Sequence, residues 1–261
     1  MATNGVITLK HKIIFALSLV SLFINSLIAS PLSPFSLPVG TIVLDAGHGG
    51  EDPGAVASWS LDEEINLTEK EINLEITLRV AALLKEKTDV EVLLTRQTDI
   101  FIPLSDRAAI SSSHNPGVNK KTIFVSIHVN SSNSPLAHGY ELFVKQSPKK
   151  VSFLDSESSI WVLSRYANFS NSQLNALLNR ENVILAAYIE ESLKKSFPQS
   201  RSRGVKEQDL WVLNQSKVPS VLIEVGFISN LEEAYLMAQD SWLQEMAKAI
   251  TEGLINYINQ H

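Results

Sequence analysis

Short runs of apolar, mostly β-branched residues recur along the chain from residue 41 onward. The runs that predict strands are Thr41–Asp45, Val90–Thr95, Thr122–Val129, Tyr140–Val144 and Val218–Val225. Helical spacing of apolar residues lies between several of them, at positions 72, 76, 80, 83 and 84, from about Leu174 to Phe197, and from Trp242 to Ile258. Strands that alternate with helices predict a single α/β domain with a largely parallel sheet.

The amino-terminal region has a different pattern. Basic residues at Lys10–Lys12 precede an apolar stretch, Ile13–Ala29, and small residues and prolines follow it. This order is typical of a secretory signal, although the stretch is also just long enough for an uncleaved membrane anchor. Both alternatives predict export to the periplasm or cell envelope. We therefore divide the chain into a signal peptide or anchor (1–29), a Pro- and Ser-rich linker (30–40) and a folded domain (41–261).

Composition removes several classes of function. The formal net charge is −6 and no segment is strongly basic, so we expect no nucleic-acid partner. The chain has 0 cysteines, which excludes a disulfide framework, a thiolate metal site and a cysteine nucleophile. Any bound metal must therefore be held by His, Asp or Glu.

Two histidines lie where predicted strands end. His48 stands in a glycine-rich turn, Gly47–Gly50, after the first predicted strand, and His128 lies near the end of the third. Ligands bind at the carboxyl ends of strands in open α/β sheets. Alone, a histidine of this kind is more often a hydrogen-bonded core residue. Two histidines with one carboxylate, however, leave an open fourth position, which is the usual arrangement of a catalytic zinc.

The carboxylate is best supplied by Glu69. Thr68 and Glu71 have the spacing of a capping box, so a helix that begins there places Glu69 on the inward face with Ile72 and Ile76. An acid on an apolar face is costly without a partner, and a metal is one such partner.

A competing helix start lies upstream, since Ser60 and Glu63 have the same capping spacing, and the segment Glu64–Leu67 nearly duplicates the later one. The segment between His48 and Glu69 therefore leaves Glu63 and Glu64 as alternative carboxylates.

A second acid, Glu224, interrupts the apolar run Val218–Val225 just before Gly226. An ionised carboxylate there is expensive unless it faces a polar site. Glu224 is therefore the candidate general base.

The segments around His48, Glu69, His128 and Glu224, in this order, resemble the zinc amidases of the Amidase_3 family. Further matching segments are Asp52–Ala55, Leu94–Arg96, Ile102–Leu104 and Gly139–Glu141. The resemblance covers roughly residues 41–259 and implies a six-stranded, mostly parallel sheet flanked by helices.

The resemblance also implies an activity: hydrolysis of the amide between N-acetylmuramic acid and the L-alanine of the peptidoglycan stem peptide, in cell-wall remodelling or division. It implies Zn²⁺ as cofactor. The implied zinc ligands are His48, Glu69 and His128, with Glu224 as catalytic acid/base. We further expect Asn130 and His138 to contact substrate, and Asp45 or a backbone carbonyl to orient the ligand histidines.

Other functions stay open at this point. The chain could be an inactive relative that binds peptidoglycan, or a peptidase of the stem peptide. Two Ser-x-x-Lys spacings, Ser147–Lys150 and Ser192–Lys195, match the nucleophile motif of penicillin-binding enzymes, without its Lys-Thr-Gly partner. We expect peptidoglycan or muropeptides as the partner, a protein activator as a further candidate, and a monomer.

An insertion is expected at residues 146–182, which are Ser- and Asn-rich. Within it, residues 159–179 have the composition of a helix. In division amidases of the resembled family, a helix there can block the zinc until an activator moves it. The alternative is a surface excursion with no such role.

Overall fold

The computed structural model describes residues 32–60, 64–117, 119–156 and 158–260. The expected signal peptide or anchor at 1–29 lies outside these residues, as does Glu63. From Pro34 onward the chain forms one compact unit. No helix within the described ranges is both long enough and apolar enough to cross a membrane.

Strands and helices alternate along most of this unit. Within the described residues, the strands are β1 (Val39–Ala46), β2 (Val56–Ser60), β3 (Glu64–Thr68), β4 (Glu91–Leu94), β5 (Lys121–Asn130), β6 (Tyr140–Lys145), β7 (Ser202–Gln208) and β8 (Ser220–Phe227). The helices are α1 (Glu69–Lys87), α2 (Leu104–Ser113), α3 (Ile160–Tyr166), α4 (Asn171–Ser196), α5 (Trp211–Asn214), α6 (Leu231–Met237) and α7 (Asp240–Ile258).

Six strands form the main sheet in the order β4-β1-β5-β8-β6-β7. All neighbours run parallel except β6, which is antiparallel to β8. The expected α/β domain with a mostly parallel, six-stranded sheet is thus confirmed. The five predicted strands are all present. The sixth, β7, has the polar sequence SRGVKEQ because it lies at the sheet edge with partly exposed side chains.

The helices cover both faces of the sheet. On one face, α1, α4 and α7 pack on alternate residues of the central strands, such as Val125 and Ile223. On the other face, α2 and α5 pack on their neighbours, such as Phe124 and Leu222. Because β1, β5 and β8 are parallel, their carboxyl ends meet at one edge. That edge carries the candidate site.

The residues just before strand β1 pack against the segment that follows strand β6. Phe35, within the stretch 30–40, is 2% exposed, and its ring lies 5.7 Å from Phe153 and 6.0 Å from Tyr166. Strand β1 begins at Val39, also within that stretch. Residues 34–39 therefore belong to the folded unit.

Residues 146–182 include α3 and the first part of α4. They meet the sheet at its amino edge, where Glu181 lies 3.0 Å from the Nζ of Lys121 and Asn182 accepts from the backbone N–H of Ser220. The guanidinium of Arg165 on α3 donates to the carbonyl of Lys120, just before β5. The segment 159–179 consequently lies at the edge opposite the carboxyl ends of the strands.

A β-hairpin fills the interval between His48 and Glu69. Strands β2 and β3 pair antiparallel, with Val56 opposite Thr68 and Ser60 opposite Glu64. The competing helix start at Ser60 was therefore wrong, because those residues are strand. The helix begins at Glu69 with Thr68 as N-cap, although the Thr68 hydroxyl donates to the Glu71 carboxylate (2.6 Å) and caps no backbone group.

Candidate active site

Three predicted metal-binding side chains meet at the carboxyl edge of the sheet. His48 follows β1, Glu69 is the first residue of α1, and His128 lies near the end of β5. Oε1 of Glu69 lies 3.1 Å from Nε2 of His48 and 2.9 Å from Nδ1 of His128. One ligand atom from each residue lies within 4.8 Å of the others. Adjacent ligand atoms of a tetrahedral zinc lie roughly 3.3 Å apart, given zinc–ligand bonds of about 2.0–2.1 Å. The three residues could therefore hold a metal ion.

Two glycines leave the space that the side chains of His128 and Glu69 occupy. A Cβ at Gly47 would collide with the ring of His128, and one at Gly54 would lie 2.6 Å from Oε2 of Glu69. Gly54 also has φ +65°, a conformation that costs glycine least. His48 itself has φ +60°, which is uncommon for a residue with a side chain. The backbone is thus held in an unfavoured conformation where it presents the first histidine.

Two buried arginines hold that backbone in place. Arg96 donates to the carbonyls of Ala46 (2.9 Å) and Gly47 (2.8 Å). Arg107 donates to the carbonyls of Ala46 and His48, both at 2.6 Å. Sequence reasoning gave neither residue a place in the site. For Arg96 the available signal was its position two residues after strand β4, near the edge where ligands bind. Arg107 lies within helix α2 and had no such signal.

Glu69 is fixed by backbone donors as well as by the histidines. It is 5% exposed, and the N–H groups of Ala55 and Val129 donate to its two oxygens at 2.9 and 3.2 Å. Burial alone would raise the pKa of Glu69, but hydrogen bonds and charge from His128 and His48 outweigh it and hold the pKa well below its usual range. The carboxylate is therefore ionised and oriented. The alternative Glu63 lies outside the described residues, and Glu64 is described only as part of β3.

The residue that orients His48 is Asp52, since its Oδ2 lies 2.7 Å from Nδ1 of His48. Asp45 or a backbone carbonyl was expected in this role, and for Asp45 the expectation was wrong. Asp45 accepts from the hydroxyls of Thr95 and Ser126 and from Arg107, each at 2.7 Å. Its side chain is 1% exposed and serves the buried arginine. The position of Asp45 at a strand end did not show which of the two aspartates contacts His48. Asp52 does so because the turn after His48 folds back and brings Asp52 beside the imidazole ring.

Glu224 lies beside this cluster. Its Cα pairs with that of His128 in the register of β5 and β8, so both side chains leave the sheet on the same face. Oε2 of Glu224 is buried and has no hydrogen-bond partner among the described residues. Burial, followed by the negative charges of Glu69 and Glu141, raises the pKa of Glu224 well above its ordinary value. A carboxyl group whose pKa is raised in this way can both accept and donate a proton during a reaction.

The two expected substrate contacts lie in different places. Asn130 ends β5 on the same side as His128 and donates from Nδ2 to Oε1 of Glu141 (2.6 Å). His138, Phe197 and Trp242 line a separate cavity. The three residues of the histidine and glutamate cluster do not line that cavity. The structure thus brings Asn130 to the site and leaves His138 beside it.

The Ser-x-x-Lys spacings form no catalytic pair. The Ser147 hydroxyl donates to the carboxylate of Glu207. The Ser192 hydroxyl is buried in α4 and has no hydrogen-bond partner within the described chain. Neither serine is bonded to the lysine of its motif, so the structure gives no support to a serine D,D-carboxypeptidase. The segment 159–179 also does not cover the histidine cluster, because it meets the sheet at the opposite edge.

Comparison with known proteins agrees with this geometry. The family model Amidase_3, described as N-acetylmuramoyl-L-alanine amidase, matches residues 42–256. The protein YqiI of Bacillus subtilis is 34% identical over 220 residues, which are 84% of this chain and 85% of that protein. The endolysin of Bacillus phage SPP1 is 32% identical over 216 residues, 83% of this chain and 65% of the endolysin. The solved structure of AmiC2, an N-acetylmuramoyl-L-alanine amidase of Nostoc punctiforme, superposes with a TM-score of 0.63 at 29% identity and covers 84% of this chain and 97% of that one.

Proposed function

Because this chain belongs to the Amidase_3 family of N-acetylmuramoyl-L-alanine amidases, we propose that it hydrolyses the amide between N-acetylmuramic acid and the L-alanine of the peptidoglycan stem peptide. The observation that carries the proposal is the meeting of His48, Glu69 and His128 beside Glu224, whose Oε2 is buried and has no hydrogen-bond partner within the described chain. Two histidines and one carboxylate that leave further positions open are typical of a hydrolytic metal site, not of a purely structural one.

The metal we propose is Zn²⁺, held by Nε2 of His48, Nδ1 of His128 and a carboxylate oxygen of Glu69. Nitrogen and carboxylate ligands in this number suit zinc, and the contact of Asp52 with His48 is the outer partner that zinc-binding histidines usually have. When bound, zinc would lower the pKa of a water molecule and polarise the scissile carbonyl.

Glu224 is the proposed general acid and base. Its raised pKa reflects burial, so its carboxyl group exchanges a proton at modest cost. It would take a proton from the attacking water and deliver it to the amine nitrogen of the departing L-alanine. Asn130 sits two residues beyond His128 and is a candidate to border the peptide path. His138 remains a predicted contact for parts of the substrate farther from the bond.

We further propose that the protein is exported and acts on the cell wall during remodelling or division. The apolar segment Ile13–Ala29 and its basic flank support export. We propose that the segment 159–179 does not block the site, because it lies at the amino edge of the sheet. A protein activator stays a predicted partner.

A digest of a chemically defined muropeptide tests the proposal. The purified protein is assayed with zinc, with a chelator, and with zinc restored after chelation, and products are identified by mass spectrometry. Free stem peptide that begins with L-alanine, lost with chelator and recovered with zinc, is the expected result. The variant His128→Ala should bind no zinc and produce no peptide.

Other outcomes would support the alternatives. Cleavage within the stem peptide would establish a peptidase and overturn the amidase proposal. Zinc binding and retention on insoluble peptidoglycan without any cleavage would establish a binding protein.

A further inference from the structure

A pair of basic side chains lies two strands away from Glu224 on the same face of the sheet. The row across the sheet runs from Glu224 on β8 to its register partner Glu141 on β6, and then to Arg203 and Lys206 on β7. Nε of Arg203 lies 3.2 Å from Oε2 of Glu141, and Nζ of Lys206 donates to the same oxygen. This basic pair therefore borders the proposed active site.

An irregularity in β7 brings the two cations together. Tyr140 pairs with Ser202, but Leu142 pairs with Val205, so three residue steps on β7 oppose two on β6. Residues three apart in a regular strand would point to opposite faces. The bulge, with Gly204 at φ +85°, lets Arg203 and Lys206 both reach Glu141. Bulges beside active sites commonly redirect a side chain in this way.

The pair has more positive charge than its partner neutralises. Glu141 is 4% exposed, and its other oxygen accepts from Asn130. Within ion-pair distance, one carboxylate thus faces two cations, whose side chains are 27% exposed for Arg203 and 42% exposed for Lys206. Glu233 also interacts electrostatically with Arg203, but its two oxygens accept from the N–H groups of Gly139 and Phe227. Within the described chain, no hydrogen bond uses the two Nη atoms of Arg203, and its guanidinium lies over the ring of Phe227 at 4.9 Å. The guanidinium is therefore oriented by two contacts, with its outer donors available to an anion.

We propose that Arg203 and Lys206, positioned by Glu141, bind the free α-carboxylate of the second residue of the stem peptide. This inference rests on the proposed amidase function. Neighbouring strands lie about 4.8 Å apart, so β7 is roughly 10 Å from β8. An extended peptide advances about 3.3–3.6 Å per residue, which puts the carboxylate of the second residue about 7 Å from the scissile amide. The side chain of Arg203 reaches back toward Glu141 and covers the difference.

The binding site would set the direction of the substrate. The glycan strand offers no carboxylate near the bond other than those of its stem peptides. A carboxylate held over β6 and β7 places the stem peptide along this row of the sheet, and the sugar then extends toward β1. Amidation of that carboxylate would remove its charge and half of its acceptor oxygens, so the site would discriminate between glutamate and isoglutamine stem peptides.

Three muropeptides that differ in one group each test the inference. The first has D-glutamate with a free α-carboxylate at the second position, the next has D-isoglutamine there, and the last keeps D-glutamate but has an amidated carboxylate on the third residue. For the wild-type protein we expect kcat/KM to be about 10–100-fold lower on the isoglutamine substrate, the range of one charge-assisted hydrogen-bonded contact. Amidation of the third residue should have little effect.

The variant Arg203→Gln separates binding from structure. It should lower kcat/KM on the glutamate substrate about 10–100-fold, mainly through KM, and lower it clearly less on the isoglutamine substrate, because that substrate has lost the charge that the guanidinium pairs with. Lys206→Gln should act in the same direction with a smaller change. The exposed Arg180→Gln on α4 is the matched control and should behave as wild type. Binding of the dipeptide L-alanyl-γ-D-glutamate, measured by calorimetry, should weaken in Arg203→Gln and not in Arg180→Gln.

Several outcomes would overturn the inference. Equal wild-type rates on the first two substrates would do so, as would an equal loss on both in Arg203→Gln, which would make Arg203 purely structural. A loss only on amidation of the third residue would assign the site to a different carboxylate. Absence of cleavage of all three substrates by wild type would instead refute the proposed function.

Discussion

Ionisable side chains are buried at both edges of the sheet, but they are paired with one another at the amino edge and one of them is unpaired at the carboxyl edge. At the amino edge, Lys121 donates to the carbonyl of Phe35 (2.6 Å) and to Glu181 (3.0 Å), and the Tyr257 hydroxyl donates to Glu181 (2.6 Å). At the carboxyl edge, Glu224 has a buried oxygen with no partner within the described chain. Buried charge that is fully paired belongs to the architecture of the fold. A buried ionisable group left unpaired, next to three convergent ligand atoms, is typical of a catalytic site.

The largest expected effect comes from removing the unpaired carboxyl group of Glu224. Glu224→Gln should lower kcat for muropeptide hydrolysis about 10²–10⁴-fold, because the general acid and base is lost. The melting temperature should stay the same or rise, since the variant removes a buried ionisable group that the fold does not pair. Rates and thermal unfolding are measured together, with the exposed Glu86→Gln as control. A full rate in Glu224→Gln would contradict the assignment.

The opposite result is expected at the amino edge. Lys121→Met should destabilise the protein by about 3–5 kcal/mol, because Glu181 is left buried without its cation. Urea unfolding measures the loss, and kcat of the folded fraction should not change. The double variant Lys121→Met with Glu181→Gln keeps an acceptor for Tyr257 and should recover part of the stability. Loss of less than about 1 kcal/mol in the single variant would show that the pair is dispensable.

A smaller effect is expected from the outer partner of His48. Asp52→Ala should weaken zinc binding about 10–100-fold by freeing the orientation of the ring. Asp52→Asn retains an oxygen that can accept from Nδ1 and should lose less. Competition with a chromogenic chelator measures both, with the adjacent, exposed Glu51→Gln as control. If all three variants bind zinc equally, Asp52 does not orient the ligand.

The smallest effect concerns pH and stability. Burial lowers the pKa of Lys121 to about 8, although the charge of Glu181 opposes the shift. The pKa of an unfolded lysine is about 10.4, so between these values the unfolded chain binds more protons than the folded one. The contribution of Lys121 to stability therefore increases with pH, by about 1 kcal/mol from pH 7.5 to 9. Denaturant titrations of wild type against Lys121→Met should show this difference. A difference that falls with pH would reverse the assignment.

Apolar periodicity predicted the central strands because they are buried on both faces, and it predicted α1, α4 and α7 because each has one buried stripe. It did not predict β7, whose side chains are polar and half exposed. The hairpin β2–β3 was missed for a similar reason: its alternation of exposed and half-buried residues is weak. Capping spacing identified the start of α1 correctly but could not exclude Ser60.

The site was predictable to the extent that it follows strand ends. His48, His128 and Glu224 stand at the carboxyl ends of buried strands, where polar residues are conspicuous. The contact of Asp52 with His48 depends on how the turn after His48 folds back. The contacts of Arg107 depend on which backbone carbonyls near that turn lack another donor. Those are properties of three-dimensional packing, and spacing along the chain does not encode them.

The two ends of the hairpin β2–β3 are joined by hydrogen bonds between Ala55 and Glu69. The N–H of Glu69 donates to the carbonyl of Ala55 (2.8 Å), and the N–H of Ala55 donates to the Glu69 carboxylate (2.9 Å). This closed base fixes Glu69 whatever the number of residues beyond it, and lengthening a loop costs little free energy. The separation of His48 and Glu69 along the chain can therefore change without displacing either side chain of the candidate metal site.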